Sequence, residues 1–383
     1  MSTARRNPVG TSDPISRACT CDDNPLHTGC VILFYRYVSL ARPGDTAQKI
    51  QTFGATHAPN FTGKIRIAHE GINASVAASS RDVMDAFIDF MVSDCPELGV
   101  PGVEDAEAFY KPEHACAHVF PNLSVRCVDE LCPFGERELK VSVSSSAKEG
   151  PLIESLSAEA WHKALLEREP NESLVLDVRN FYESRVGAFE GATLAPIRRF
   201  SQLKEWLQVH EDALREKMGK KDVYIYCTGG VRCEKAAAYM ATRLPKDMQP
   251  RKICKLEGGI VSYSKHIDKG EGLFKGVNYV FDARGTVQVG PEDQVPSTSW
   301  CDGCGASSTR LGKCAGRLCH YVLVVCDACT RDEDGKTFCC DGCREQTISA
   351  SGNKKFKRRP CDCDCFASRE RRCQLYKDPN RAN

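Results

Sequence analysis

A cysteine that ends a strand and is followed by a glycine loop and a helix is the feature of this sequence best suited to chemistry. The β-branched and aromatic run 223–226 predicts a buried strand that ends at Cys227, and residues 233–244 predict an alanine-rich helix. The loop between them consists of Thr228, Gly229, Gly230, Val231 and Arg232. Backbone N–H groups and the positive end of the helix dipole stabilise a thiolate in such a loop. Cys227 is therefore predicted to have a depressed pKa and to act as a nucleophile.

The number of residues in the loop limits the size of the anion that it can hold. Four residues separate Cys227 from Arg232, one fewer than in the loop of cysteine phosphatases, which must enclose a whole phosphate. The tighter ring suits a smaller anion, such as the outer sulfur of a persulfide. The pattern resembles the active-site loop of rhodanese-type sulfurtransferases, with Cys227 and Arg232 as catalytic residues and Cys233 at the end of the loop. The alternative is that Cys227 is an inert, buried cysteine.

The composition limits the classes of protein to which the chain can belong. Its 383 residues predict two or three domains, and its formal net charge of +1 gives no overall basic field, so contacts with RNA must come from local patches. No run of about eighteen apolar residues indicates a membrane span, and no apolar segment near the start indicates secretion. A cytoplasmic location is expected, while Arg5, Arg6 and Arg17 leave a mitochondrial one open.

A first domain is predicted at residues 29–145, after a polar and mobile tail at 1–28. Its elements follow the order β-α-β-β-α-β, which indicates a ferredoxin-like fold. The predicted strands lie at 31–39, 64–68, 74–77, near 107–110 and at 123–128, and the predicted helices at 45–53 and 81–91. Ser80 is expected to cap the second helix, and residues 69–73 are expected to turn between two strands.

A linker at 144–152 leads to a second domain, predicted at 153–275, in which strands and helices alternate as in a parallel α/β sheet. Its predicted strands are 174–176, 223–226 and 252–256. Its predicted helices are 157–166, 181–185, 233–244 and 260–266, with a further helix within 202–218. Ligands of such sheets bind at the carboxyl ends of the strands, where Asp177, Cys227 and Glu257 lie. Asp177, Arg179 and Glu257 are interpreted as supporting residues. Asp177 is expected to cap the neighbouring loop rather than to form a catalytic pair with Arg179.

Thirteen of the 23 cysteines lie between residues 301 and 373, which indicates metal binding in a chain without a secretory signal. After a connector at 276–300, residues 301–348 are predicted to form a module with two structural zinc sites. The predicted ligands are Cys301, Cys304, Cys314, Cys319, Cys326, Cys329, Cys340 and Cys343. An interleaved arrangement would join the pairs 301/304 and 326/329 in one site and 314/319 and 340/343 in the other. Sequential pairing is the alternative, and Cys339 or His320 could replace a ligand.

The remaining residues, 349–383, form a basic tail that contains four more cysteines, Cys361, Cys363, Cys365 and Cys373. These are interpreted either as another metal cluster or as incidental. Lysine and arginine residues surround them and could contact phosphates, although a solvated tail explains the same composition.

Several motifs and their order along the chain resemble those of the tRNA wobble-uridine hydroxylase family. The members of that family are bacterial rhodanese-domain proteins, and they have eukaryotic relatives. The motifs are 34–35 with 38–39, 70–73, 227–235, 256–260, and 279–282 with Arg284. The resemblance spans residues 30–345. It implies an acylphosphatase-like domain ahead of a rhodanese domain, and it makes Cys227 the essential cysteine and a persulfide carrier.

The same resemblance implies hydroxylation of the wobble uridine of tRNA to 5-hydroxyuridine, with molecular oxygen as co-substrate. The chemistry of the loop equally permits a sulfurtransferase that takes sulfur from thiosulfate or from a persulfide. A third hypothesis is a zinc-bearing adaptor without catalytic activity, and the intact cysteine loop argues against it.

Overall fold

A computed structural model describes residues 28–105, 109–141, 150–296, 299–319, 321–331, 336–349, 356–359 and 361. Two five-stranded sheets dominate it, and it also contains smaller sheets of three and two strands. Among these described residues, no helix combines the length and the apolar composition that a membrane crossing requires.

The first domain contains one sheet with two helices on one face. Its elements are β1 (Cys30–Tyr37), α1 (Pro43–Thr56), β2 (Phe61–Ala68), β3 (Gly71–Ala78), α2 (Arg81–Ser93), β4 (Glu113–His114) and β5 (Leu123–Cys127). The strand order is β4-β1-β3-β2-β5, in which β5 is parallel to β2 and the other pairs are antiparallel. The first four strands have the order of a split βαβ fold, so the predicted ferredoxin-like architecture is confirmed, with β5 as an added edge strand.

Apolar residues at helical spacing hold the two helices on this sheet. Ile50 and Phe53 of α1 and Met84 and Phe87 of α2 are buried in one cluster with the inward-facing residues of the strands. Each such side chain contributes about 1.5–3 kcal/mol when fully buried. The hydroxyl oxygen of Ser80 accepts a hydrogen bond from the amide of Val83 at 3.4 Å, as a capping residue does.

The strand predicted near residues 107–110 is wrong where it can be compared, because Phe109 and Tyr110 are helical, while residues 107 and 108 lie outside the described part. The Tyr110 ring is buried and meets Phe34 edge-on at 5.0 Å. The pairing with β1 comes instead from β4, which begins after Lys111 takes a left-handed φ of 50°. Packing of the Tyr110 ring therefore outweighs the strand propensity of this aromatic run.

The second domain is an α/β unit whose main sheet has the order β6-β11-β10-β7-β9 with all pairs parallel, as predicted. Its elements are β6 (Leu152–Leu156), α3 (Ala158–Glu167), β7 (Ser173–Asp177), α4 (Phe181–Ser184), β8 (Gly187–Phe189), β9 (Thr193–Leu194), α5 (Leu203–Val209), α6 (Glu211–Met218), β10 (Asp222–Tyr226), α7 (Val231–Thr242), β11 (Lys252–Leu256) and α8 (Gly259–His266). Separate apolar clusters cover the two faces of the sheet.

Three predicted element boundaries differ from those in the structure of this domain. One helix is predicted within residues 202–218, but the structure has two there, which meet at His210, where Glu211 and Asp212 suit the start of a new helix. Helix α7 begins at Val231 rather than at 233, so Arg232 belongs to its first turn. The end of the predicted linker 144–152 already belongs to β6, and residues 142–149 lie outside the described part.

The remaining strands and helices lie beyond α8. They are β12 (Phe274–Tyr279), β13 (Thr286–Gln288), β14 (Leu311–Lys313), β15 (Val322–Val324), α9 (Asp327–Arg331) and α10 (Asp341–Ser349). Strand β12 lies between β13 and β8, and β14 pairs with β15 in the cysteine-rich module. A buried ion pair between Arg185 and Asp302, 2.8 Å long, attaches this module to the second domain.

Candidate active site and cysteine clusters

The loop after β10 forms a closed turn around the Cys227 side chain. The Cys227 sulfur accepts a hydrogen bond from the amide of Gly230 at 3.1 Å and is not exposed to solvent. On the outer side of the loop, the carbonyl oxygens of Cys227 and Thr228 each accept an amide hydrogen bond of 3.1 Å from the start of α8. The loop is therefore held by main-chain groups on both sides.

Two glycines allow this packing. Gly230 precedes α7 with a φ of 100°, which is a conformation that side chains disfavour. Gly259 has a φ of 64°, and a Cβ atom there would lie 2.5 Å from the carbonyl oxygen of Cys227. The glycines at these positions are thus a steric requirement of the cysteine loop.

The Cys227 thiol is acidified by its surroundings. Burial raises its pKa, but a hydrogen bond from the Cys233 thiol, the positive charge of Arg232 and the amides of Arg232 and Gly230 outweigh that effect. The result is a pKa lowered to about 6. A thiol with this pKa is mostly thiolate at neutral pH and is nucleophilic. The predicted activation of Cys227 has a structural basis in these contacts.

Arg232 is anchored behind the loop by a buried carboxylate. Its guanidinium donates two hydrogen bonds of 2.7 Å to the two carboxylate oxygens of Glu183, and a third of 3.1 Å to the hydroxyl of Thr228. The Glu183 side chain has no exposed surface, and it also accepts the amide of Asn180 at the start of α4. Glu183 therefore fixes the guanidinium whose charge favours the Cys227 thiolate.

The first domain covers the loop with residues of β1. The Tyr35 hydroxyl donates to Glu234 of α7 at 3.0 Å, and a Cβ atom at Gly230 would lie 2.9 Å from that hydroxyl oxygen. The Tyr37 hydroxyl donates to the carbonyl oxygen of Val231 at 3.3 Å. The aromatic side chains of β1 consequently separate the Cys227 sulfur from solvent.

A cavity of about 560 Å³ opens between the two domains, with Tyr35 and Gly230 at its inner wall. The other lining residues include the aromatic side chains of Tyr37 and Phe109 and the cationic side chain of Arg36. This volume lies in the range of small-molecule sites, and aromatic rings with cations are a typical lining for a nucleotide.

Two lysines in the cavity are buried at its base. Lys255 donates to the Glu234 carboxylate at 2.6 Å, so Glu234 joins Tyr35 to this lysine. Burial, and to a smaller extent the positive charge of Lys265, lower the pKa of Lys111 to about 8. The negative charge of Glu257 raises that pKa and offsets part of the shift. Lys111 is thus able to hold or release a proton near neutral pH.

A buried lysine also joins the domains beside α7. The ammonium of Lys235 lies 2.8 Å from the Glu130 carboxylate and 3.0 Å from that of Glu70. Glu70 also accepts the amide of Leu131 at 2.7 Å.

Arg284 forms a second connection between the two domains. Its guanidinium lies 2.6 Å from the carboxylate of Glu113 in β4 and 2.7 Å from that of Asp282. The motifs at 70–73 and 279–284 therefore hold the first domain over the second.

The three residues predicted to support the site occupy different positions. Asp177 and Arg179 are fully buried and pair with each other at 2.6 Å, and the Asp177 carboxylate also accepts the amide of Arg179 at 2.9 Å. Arg179 in addition donates to the carbonyl oxygen of Gly187. These contacts lie within the domain and do not include Cys227. Glu257 is exposed and lines the cavity.

The cysteine-rich module brings its thiols together in groups whose sulfur atoms lie within 4.8 Å of one another. The groups are Cys301, Cys304, Cys326 and Cys329; Cys314, Cys319, Cys339 and Cys343; and Cys340, Cys343 and Cys361. The first group has the interleaved arrangement. In the second group, Cys339 takes the position predicted for Cys340, because the Cys340 sulfur lies with that of Cys361 in the third group. His320, Cys363, Cys365 and Cys373 lie outside the described residues.

Sequence reasoning missed Glu183, Tyr35 and Lys111. An acid three residues after Asn180 at a helix start was the available signal for Glu183, whose carboxylate accepts the amide of Asn180 at 3.0 Å, as the acid of a capping box does. Tyr35 lies in a motif of the family resemblance, but no local signal assigns Tyr35 or Lys111 a contact with the other domain.

Family models match three consecutive parts of the chain. The UPF0176 acylphosphatase like domain matches residues 29–131, the rhodanese-like domain matches 158–266, and the rhodanase C-terminal model matches 275–344. The first two confirm the expected acylphosphatase-like and rhodanese-like folds.

Curated relatives match most of the chain. A tRNA uridine(34) hydroxylase of Chlamydia muridarum is 32% identical, over 83% of this chain and 88% of that protein. One of Leptospira interrogans is 31% identical, over 80% of this chain and 75% of that protein. Rhodanese-like domain-containing protein 6 of Arabidopsis thaliana is 31% identical over 82% of this chain, which matches only 52% of the plant protein's length. The motif order, the fold and these relatives together establish that the chain belongs to the tRNA uridine(34) hydroxylase family.

Proposed function

We propose that this protein hydroxylates uridine 34 of tRNA to 5-hydroxyuridine and that the Cys227 thiolate is essential for the reaction. The observation that carries the proposal is an intact, acidified cysteine loop in a chain that matches named tRNA uridine(34) hydroxylases over most of their length. The cavity beside this loop is the proposed site for the nucleotide. The activity is proposed to be cytoplasmic.

The lining of the cavity supports a nucleotide as its occupant. Tyr37 and Phe109 offer aromatic faces on which a base can stack, and stacking contributes about 1–3 kcal/mol per base. Arg36, an exposed residue near the end of β1, suits a phosphate. Single-stranded loops are the parts of RNA whose bases can enter such pockets, and the wobble position lies in one.

The residues of the chain have separate tasks in this reaction. Cys227 carries a negative charge on a buried sulfur behind Gly230, which lines the cavity, and Arg232, fixed by Glu183, stabilises that charge. Lys111 can move a proton beside the base. One atom of molecular oxygen is inserted into a C–H bond of the base, so that a hydroxyl group stands where the hydrogen was. The second oxygen atom leaves as water, with two electrons and two protons from an external reductant.

Zinc is the proposed metal of the cysteine-rich module. Four thiols with sulfur atoms within 4.8 Å of one another fit a tetrahedral ion with thiolate ligands, and thiolates select zinc among abundant divalent ions. The sets Cys301, Cys304, Cys326, Cys329 and Cys314, Cys319, Cys339, Cys343 would each fill the coordination shell. Such ions stabilise a module with little apolar core.

The decisive experiment measures tRNA nucleosides by mass spectrometry in cells that lack the protein. The wild-type gene should restore 5-hydroxyuridine, and Cys227→Ala should not. Cys254→Ala is a matched control, because Cys254 is buried in the neighbouring strand β11 and burial raises its pKa to about 12. Restoration by Cys227→Ala would refute the proposed role.

A sulfurtransferase is the second candidate, and the thiolate character of Cys227 supports it, since a thiolate of pKa about 6 also accepts sulfur. Transfer of sulfur from thiosulfate to cyanide by the purified protein, together with unchanged tRNA nucleosides in the deletion strain, would favour this candidate over the hydroxylase.

A further inference from the structure

The second and third cysteine groups of the module are not separate, because Cys343 belongs to both. It shares one group with Cys314, Cys319 and Cys339 and the other with Cys340 and Cys361. The rhodanase C-terminal match ends at residue 344, so Cys361 lies beyond it. We propose that these thiols hold two metal ions of the zinc type and that the Cys343 sulfur bridges them. The proposal deepens the metal binding proposed above for the module.

The spacing of the sulfur atoms suits metal binding. The Cys343 sulfur lies 3.5 Å from that of Cys339 and 3.4 Å from that of Cys361, and the sulfur atoms of Cys319 and Cys339 lie 3.7 Å apart. A tetrahedral zinc ion with bonds of about 2.3 Å places its ligands about 3.8 Å apart. A disulfide needs about 2.05 Å, so the observed separations are too long for disulfide bonds and fit shared metal ligation.

The local backbone is built for this close approach. A Cβ atom at Gly342 would lie 3.0 Å from the Cβ of Cys361, and one at Gly316 would lie 2.9 Å from the Cβ of Cys343. Both positions lack a side chain on the sides from which the other cysteines approach. The cluster therefore has glycines next to the shared ligand on each side.

Charge supports thiolates in the third group. The guanidinium of Arg358 donates to the Cys361 sulfur at 2.8 Å and to the Cys343 sulfur at 3.8 Å. Thiolate ligands around two dications leave a net negative charge, which a guanidinium at this position offsets.

The segment that carries Cys361 is also tied to the rest of the module by contacts without metal. The Gln346 side chain of α10 accepts the amide of Arg359 at 2.7 Å and donates to its carbonyl oxygen at 3.2 Å. Arg317 lies over the Phe356 ring at 5.1 Å. These contacts bring Cys361 to Cys343, and the bridged metal would fasten the basic residues 357–359 to the module.

The full-length protein, purified without chelators, tests the stoichiometry. Elemental analysis should find one zinc ion for each of the three thiol groups in the wild-type chain. Cys361→Ser should lose one ion per chain, whereas Cys127→Ser, which changes an exposed cysteine of β5 outside the module, should lose none. Two ions or fewer in the wild-type chain, or an unchanged content in Cys361→Ser, would overturn the proposal. An absence of zinc would in addition overturn the metal binding of the module.

The bridge itself is tested on the wild-type protein after exchange of zinc for ¹¹³Cd. Two cadmium nuclei that share the Cys343 sulfur should split each other's NMR signals through that atom. Uncoupled signals from a chain that holds the full number of cadmium ions would contradict a bridging sulfur.

Discussion

The hydrogen bond from Cys233 to Cys227 should control the acidity of the Cys227 thiol. Among the effects that lower the Cys227 pKa to about 6, this hydrogen bond is the largest. A hydrogen bond to a charged group is worth about 1.5–3 kcal/mol, which corresponds to about 1–2 pKa units at 1.36 kcal/mol per unit. Cys233→Ala removes the donor, so the Cys227 pKa should rise to about 7–8.

Pulse alkylation measures this shift. The protein is exposed briefly to iodoacetamide across a pH series, and mass spectrometry follows the peptide that contains Cys227. The midpoint of labelling should lie near pH 6 in the wild-type protein. Because Tyr35 covers the site in every variant, the midpoint and not the absolute rate reports the pKa. The exposed Cys127 provides an internal reference in the same samples.

Cys233→Ser is the matched variant, because its hydroxyl can still donate a hydrogen bond to the thiolate. Its midpoint should stay within about half a unit of the wild-type value, while that of Cys233→Ala moves upward. A wild-type midpoint above pH 8, or equal midpoints for the alanine and serine variants, would refute the role of the Cys233 hydrogen bond in acidifying Cys227.

Two further substitutions test the support of the loop. Glu183→Gln leaves Arg232 as a buried charge without its carboxylate, so the free energy of unfolding measured in urea should fall by about 3–5 kcal/mol. The control Glu167→Gln changes an exposed pair with Lys163 and should alter that free energy by less than about 1 kcal/mol. Equal losses in the two variants would contradict the role assigned to Glu183. Gly259→Ala places a Cβ atom 2.5 Å from the Cys227 carbonyl oxygen and should reduce the rate of uridine hydroxylation at least about tenfold. Gly270→Ala is the control, because no atom lies within 4 Å of its Cβ position, and it should leave the rate unchanged. Full activity of Gly259→Ala would show that the loop tolerates displacement.

The strand, the loop and the helix around Cys227 could be predicted because their determinants are local. A run of β-branched and aromatic residues forms β10, and two glycines and an alanine-rich segment follow it within a few positions. The same local logic predicted the Ser80 cap and the parallel sheet. It also produced the wrong strand near 107–110, where aromatic residues serve packing rather than pairing.

The partners of the loop could not be predicted from local pattern because they are distant in sequence. Glu183 lies 49 residues from Arg232, and Tyr35 lies 199 residues from Glu234. The same limit applies to the cysteine module, in which spacing restricts the possible ligand sets but does not decide whether Cys339 or Cys340 joins Cys314. The direction of each side chain on the folded backbone decides that choice.

Burial and acidity make opposite demands on Cys227, and the structure meets both. Burial alone raises the pKa of the thiol, yet the amides and the guanidinium that lower it act strongly because water is excluded from them. The β1 residues of the first domain provide this exclusion, with Tyr35 held by Glu234, which Lys255 holds in turn. A substrate atom can reach the sulfur only when this cover shifts, so the first domain controls both the acidity of the thiolate and access to it.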